Sequence, residues 1–243
     1  QTFSSPTPNN NTGTTTDNII GNVTLTESNA GTLYFNWNGT QVPPLNGLVL
    51  WMPMSEAGGN VTGALSAYAH NSNLPGFDCT DLDCAGSGWN STGRIGTALN
   101  FDGTNDYVNV GTASDLEMSD IDTVSVCAWV NMRQTSGYGP IISRSDTSYG
   151  LQRDGGGSGG KWEWVIYDTT WRSVLSDILP PTFTWIHVCG TFDGTTMKMY
   201  VNGTQQAATA SATSIAEALE ATEIGRNSEV TTRFFNGLID EAM

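Results

Sequence analysis

The chain has 243 residues, 38% of them apolar, and a formal net charge of −15 from 24 acidic and 9 basic side chains. That length supports a sizeable buried core, and the negative surface repels polyanions, which argues against nucleic acid or an anionic membrane as partner. Charged residues make up only 14% of the chain, below the usual quarter, and 53 Ser plus Thr supply the polarity instead, the composition of a hydroxyl-rich extracellular surface.

Residues 1–18, "QTFSSPTPNNNTGTTTDN", hold almost no large apolar side chains and read as a polar N-terminal extension, one that an assembly would hold against a neighbouring subunit. The start at Gln1 shows no basic stretch followed by an apolar one, which fits a mature chain whose targeting segment has been removed. No run of eighteen apolar residues occurs, so no helical membrane span is expected. Residues 19–243 read as a single domain.

Short apolar or alternating runs then follow one another. "VTLT", "LYFNW" and "GLVLWMPM" come first. Residues 58–94 are rich in Gly, Ser and Asn, carry Cys79 and Cys84, and read as a long surface loop or insertion. After them come "ALNFDG", "DYVNV", "TVSVCAWV", "PIISR", "YGLQR", "KWEWVIY", "WRSVLS", "FTWIHVCGTF", "MKMYVNG", "TEIGR" and "FFNGLID". About fourteen β-rich segments broken by Gly, Asn, Asp or Pro predict an all-β sandwich or barrel. Within "KWEWVIY", alternation places Trp162, Trp164 and Ile166 on one face and Lys161, Glu163, Val165 and Tyr167 on the other. Only "SIAEALEA", residues 214–221, has a helical pattern. Asp102-Gly103 and Asp193-Gly194 read as hairpin turns rather than metal ligands.

Four cysteines, at 79, 84, 127 and 189, allow three pairings, or four free core thiols. Zinc is disfavoured, since paired C-x-x-C spacing is absent and His70 and His187 are the only histidines.

The ordered series "ALNFDGTNDYVNV", "TVSVCAWVN", "IISRSDTSYGL", "TWIHVCGTFDGTTMKMYVNG", "EIGR" and "FFNGLIDEA" resembles the laminin-G-like and pentraxin-like branch of the concanavalin A-type jelly rolls over roughly residues 95–241. His187, Cys189 and Thr191 match the pentraxin His-x-Cys-x-Ser/Thr-Trp signature, with Phe192 in place of the tryptophan. Residues 31–74 are similar to the lead-in before laminin-G-like domains in some archaeal surface proteins, and would supply the first strands of the same sandwich. The resemblance implies a two-sheet antiparallel jelly-roll sandwich, a disulfide joining Cys127 to Cys189, and a small loop closed by Cys79 and Cys84. It also implies one calcium ion, with oxygen ligands at Asp146, Asn227 and Glu229, or near the last strand at Asp240. Thr147 stands where the pentraxin pattern has asparagine, and Asn227, Ser228 and Glu229 where it has glutamate, glutamine and aspartate.

Catalysis is not expected. The Glu-x-Asp-x-x-Glu mark of the related glycoside hydrolases is missing, and the two histidines offer a nucleophile little as a base, since His187 sits in an alternating strand and His70 in a loop. Tyr167 and Trp171 are the expected glycan contacts. Asn-x-Ser/Thr sequons at Asn10, Asn22, Asn38, Asn60, Asn90 and Asn202 are expected N-glycosylation sites on the secretory route, alongside the disulfides. Two functions follow from this reading. One is a non-catalytic, secreted cell-surface module that recognises a glycan or another surface component in adhesion. The other is a structural subunit of an extracellular filament, sheath or surface layer, joined to copies of itself through its N-terminal segment.

Overall fold

A computed structural model describes residues 35–37, 40–42, 50, 52, 54, 61–63, 71–73, 88–90, 92–113, 116–118 and 123–243. The N-terminal extension, His70, Cys79, Cys84 and the sequons at Asn10, Asn22, Asn38 and Asn60 lie outside the described residues. The chain forms two compact units, Gln1–Asn46 and Gly47–Met243. In the first, β1 (Phe35–Trp37) pairs antiparallel with β2 (Thr40–Val42).

The second unit holds the sandwich. Its strands are β3 (Val61–Gly63), β4 (Asn71–Asn73), β5 (Trp89–Asn90), β6 (Ala98–Asp102), β7 (Val108–Gly111), β8 (Val124–Met132), β9 (Gly139–Arg144), β10 (Tyr149–Arg153) and β11 (Trp162–Tyr167). They continue with β12 (Trp171–Leu175), β13 (Trp185–Phe192), β14 (Thr196–Val201), β15 (Thr204–Ser211), β16 (Thr222–Ile224) and β17 (Asn236–Asp240). One sheet has eight strands in the order β12-β11-β10-β9-β16-β7-β4-β3, the other seven in the order β15-β14-β13-β8-β17-β6-β5. Every pairing is antiparallel, as the predicted jelly roll requires. The last two strands, β16 and β17, sit inside the two sheets rather than at their edges, so both sheets close only around the C-terminal part of the chain. The final residues extend this closure: Met52 and Ala242 exchange backbone hydrogen bonds, as do Cys127 and Met243.

The core lies between the sheets. Strand alternation sends Val126, Ala128, Val130 and Met132 of β8 inward to meet Trp162, Trp164 and Ile166 of β11, all buried. The face assigned to Trp162, Trp164 and Ile166 from the sequence is therefore the core face. Gly190 of β13 is what admits one of the two indoles, because a Cβ there would fall on the Trp164 ring.

Both Asp-Gly pairs form turns, but only Asp193-Gly194 closes a hairpin, between β13 and β14, whereas Asp102-Gly103 carries the chain from β6 in one sheet to β7 in the other. Asp102 Oδ1 accepts the N–H of Thr104, Asp193 Oδ1 accepts those of Thr195 and Thr196, and Gly103 and Gly194 adopt the positive φ that such turns need.

One expected element is absent: residues 214–221 form no helix. Ile215 and Ala218 are buried, but the backbone groups of this stretch bond elsewhere. Ala216 N–H donates to the Tyr167 carbonyl at 2.8 Å, and the Ala218 carbonyl accepts the buried Arg144 guanidinium at 3.1 Å. Tertiary partners take the groups that a helical ladder would have used, and an eight-residue helix is too short to compete. No helix among the described residues is long and apolar enough to cross a membrane.

Gly190→Ala drives a methyl group into the Trp164 ring, so it should destabilise the domain by about 2–3 kcal/mol, the upper part of the overpacking range. Urea denaturation read by tryptophan fluorescence measures this, and an unchanged midpoint would contradict the packing.

Candidate functional site

Strand alternation carries the site as well as the core. With Val126, Ala128, Val130 and Met132 inward, Cys127, Trp129 and Asn131 must face out; on β13, Ile186 and Val188 are inward and Trp185, His187 and Cys189 face out. The register pairs Cys127 with Cys189, Trp129 with His187 and Asn131 with Trp185. The first of these pairs is a disulfide, its Cα atoms 4.1 Å apart, as the resemblance implied. One step along the same face, the Trp129 and His187 rings lie 5.3 Å apart.

Two loops complete the site. Asp240, the partner of Trp129 on β17, is fully buried, and its carboxylate accepts the Ile95 N–H at 2.9 Å and the Glu241 N–H at 2.9 Å. This contact draws the 92–97 loop over the sheet and places the Arg94 guanidinium above Trp129, 4.5 Å from the ring centre. From the other side comes the β14–β15 turn, where Asn202 sits at φ 49° ahead of Gly203. The Asn202 carboxamide oxygen accepts the His187 N–H at 2.9 Å, which ties the turn to the strand.

Arg94, Trp129, Thr184, Trp185, His187, Asn202 and Gly203 together line an open cleft of about 730 Å³, within the range of small-ligand sites. Burial lowers the His187 pKa, so the imidazole is neutral at neutral pH and can both donate and accept a hydrogen bond. Burial pushes Asp240 up to about 6, against the N–H groups of Ile95 and Arg94 that favour its charged form, and Glu241 raises it further.

The residues expected from the sequence are placed as follows. Tyr167 and Trp171 touch each other edge to face, 5.3 Å apart, at the β11–β12 hairpin of the other sheet, with Trp171 47% exposed. They do not line the cleft. Asp146, Asn227 and Glu229 do come together, from the β9–β10 turn and the loop after β16, whereas Asp240 belongs to the seven-stranded sheet.

The first three bond directly to one another and to their neighbours. Asp146 Oδ1 accepts Asn227 Nδ2 at 3.1 Å and an Arg233 guanidinium nitrogen at 2.7 Å, while Glu229 accepts the Ser145 hydroxyl at 2.5 Å and the Asp146 N–H at 2.9 Å. The Ser145 hydroxyl holds the Glu229 carboxyl below its usual range, against burial and with help from the Asp146 N–H. In this arrangement the cation facing Asp146 is Arg233, which a calcium ion would have to displace.

Of the described sequons, Asn90 is buried and its carboxamide accepts the N–H and hydroxyl of Thr92, whereas Asn202 is exposed. Arg94, Trp129, Trp185 and His187 were not predicted as contacts. A signal for two of them existed: once "VSVCAWVNM" and "WIHVCGTF" are read as alternating strands, Trp129 and Trp185 are large aromatics on the water face.

The family model described as the concanavalin A-like lectin/glucanases superfamily, of laminin G type, matches residues 102–243. The chain belongs to this family. No curated protein matches the sequence. Among solved structures, the laminin-G-type chain is similar to the binding domain of Paraclostridial Mosquitocidal Protein 1, with 13% identity and a TM-score of 0.57 over 80% of this chain and 49% of that one. The receptor-binding domain of a botulinum neurotoxin C/D mosaic serotype gives 15% identity and a TM-score of 0.53, over 80% and 48%. Domain 4 of an extracellular arabinanase from Geobacillus stearothermophilus, solved with arabinotriose, gives 19% identity and a TM-score of 0.47, over 79% and 78%. The chain thus spans about half the length of the two toxin chains.

Two outcomes test this geometry. The Asp240 carboxyl titrates near 3.8 when unfolded and at about 6 when folded, so the folded state binds its proton more tightly; its stabilising contribution is full at acid pH and is lost as pH rises through 6. Asp240→Asn removes this dependence, so the variant should gain stability relative to wild type between pH 4.5 and pH 7, measured by urea denaturation at both; an equal gap at the two pH values contradicts the burial. Arg233→Gln removes the cation facing Asp146 and should raise calcium affinity by about tenfold in isothermal titration calorimetry. Affinity no higher than wild type would count against a calcium site at Asp146.

Proposed function

We propose that this laminin-G-type domain is a non-catalytic glycan-recognition module that works outside the cell, and that the cleft between Arg94, Trp129, Trp185, His187 and Asn202 holds the sugar. The observation that carries the reading is the pair of tryptophans standing on the water face of β8 and β13, where alternation would ordinarily place polar side chains. An indole packs against the apolar C–H face of a sugar ring, and the neighbouring His187, Asn202 and Thr184 offer donors and acceptors for its hydroxyls. Glycoside hydrolysis would call for two carboxyl groups flanking the bond, whereas the described lining is aromatic, basic and amide.

The Cys127–Cys189 bond supports an oxidising, extracellular setting. Membership in a lectin-containing superfamily supports sugar as the ligand class, and the two solved toxin relatives, a binding domain and a receptor-binding domain, fit recognition rather than catalysis.

Trp129→Ala and Trp185→Ala should each weaken binding to the best hit of a glycan array by at least about tenfold, the usual cost of losing a central aromatic contact. Surface plasmon resonance on the immobilised glycan reads this, with Trp171→Ala as a comparison on the other sheet. If the array is silent, or both cleft variants bind like wild type, the reading fails.

A further inference from the structure

The cleft differs from the rest of the surface in charge. The chain carries 24 acidic side chains against 9 basic ones, and its cations are largely neutralised internally. Arg144 pairs with Glu117, Arg172 with Asp168, Arg226 with Glu223, Arg233 with Asp146, and Lys198 with Asp193. Arg153 is buried and bonded to the carbonyls of Thr135, Gly137 and Asp154.

Arg94 differs from these six. It is exposed, rests over Trp129, and has no carboxylate within ion-pair distance among the described residues. Asp240, the acid beside Trp129, uses its oxygens on backbone N–H groups, and no other acid appears in the described lining of the cleft. Contact with the indole leaves the in-plane N–H donors of the guanidinium available, in the fork geometry that matches a carboxylate or a sulfate.

On the reading that the cleft binds sugar, we propose that its ligand is an acidic glycan, bearing a carboxylate or sulfate ester that pairs with Arg94 while a ring of the same glycan packs on Trp129 or Trp185. The indole beneath holds the guanidinium in place, and Asp240 anchors the 92–97 loop that delivers it. An acidic protein also repels anions at long range, so selection has to come from short-range contacts, at a cation that no protein carboxylate occupies.

The test titrates the intact protein, by isothermal calorimetry, with three disaccharides of one scaffold: one ending in glucuronate, one carrying a sulfate ester, and one neutral. At least one anionic form should bind about tenfold more tightly than the neutral form, the scale of a charge-assisted hydrogen bond at an exposed site. Its advantage should shrink between 50 and 500 mM salt. Arg94→Gln should bring the ratio close to one and Arg94→Lys should restore part of it, with unchanged melting temperatures showing that both variants fold. The difference between glucuronate and sulfate identifies which anion the cleft prefers. If the neutral sugar binds as well as both anionic ones, the proposal is overturned while glycan recognition stands. If no glycan binds at all, on the array or in the calorimeter, glycan recognition itself fails and the proposal with it.

Discussion

The pairing register of β8 and β13 is the constraint on which the rest of this structure depends. Side chains alternate strictly along a strand, so a slip of one residue would turn Val126, Ala128 and Val130 to water and push Trp129 and the cysteines into the core. Two independent forces oppose the slip. On the inner face, burial fixes which residues point inward; on the outer face, a covalent bond joins Cys127 to Cys189, and a closure spanning 62 residues is worth about 4 kcal/mol on the chain-entropy account. The register that completes the core is also the one that sets Trp129 opposite His187. Fold and cleft are two faces of one ladder of hydrogen bonds.

Basic residues serve a particular purpose in so acidic a chain. Arg144 reaches the Ala218 carbonyl, Arg153 gathers three carbonyls of the 135–137 and 153–154 region, and Arg233 joins two loops across the Tyr138 ring. Each guanidinium fastens an irregular segment to the sandwich, using its several donors at once. Long connections lacking helices or strands of their own are thereby held in place without a larger apolar core. Arg94 departs from this pattern: its own loop is secured by a carboxylate, Asp240, and among the described residues its guanidinium meets the Trp129 ring rather than a carbonyl or carboxylate.

Most of the sandwich was legible in the sequence, because wherever apolar residues alternate with polar ones between turn residues the pattern is that of a half-buried strand. Segments such as "TVSVCAWV", "KWEWVIY" and "WIHVCGTF" became β8, β11 and β13. β15, "TQQAATAS", was not legible: it is an edge strand, paired on one side only and mostly exposed, so its pairing demands no apolar stripe. The 214–221 stretch misled in the opposite direction, since Ile215 and Ala218 show a helical spacing that tertiary hydrogen bonds override. The cleft could not be read from any single segment. Its residues come from positions 94, 129, 184, 185, 187, 202 and 203, and only the closing of the sheet brings them together. Tyr167 and Trp171, by contrast, stand four residues apart on one hairpin, so their proximity is legible without the fold.

The segment that carries the family resemblance is smaller than the one that folds. The matched region begins at residue 102, yet the ring of Phe101 is fully buried against Gly225, whose positive φ and missing side chain make room for it. β6, which ends at that boundary, is the neighbour of β17, and Met52 pairs with Ala242 from farther upstream still. A fragment cut where the match begins would leave β17 as an unpaired sheet edge, its β6-facing backbone groups without partners. In this chain, heredity and mechanical self-sufficiency have different borders, and the second lies at least fifty residues before the first.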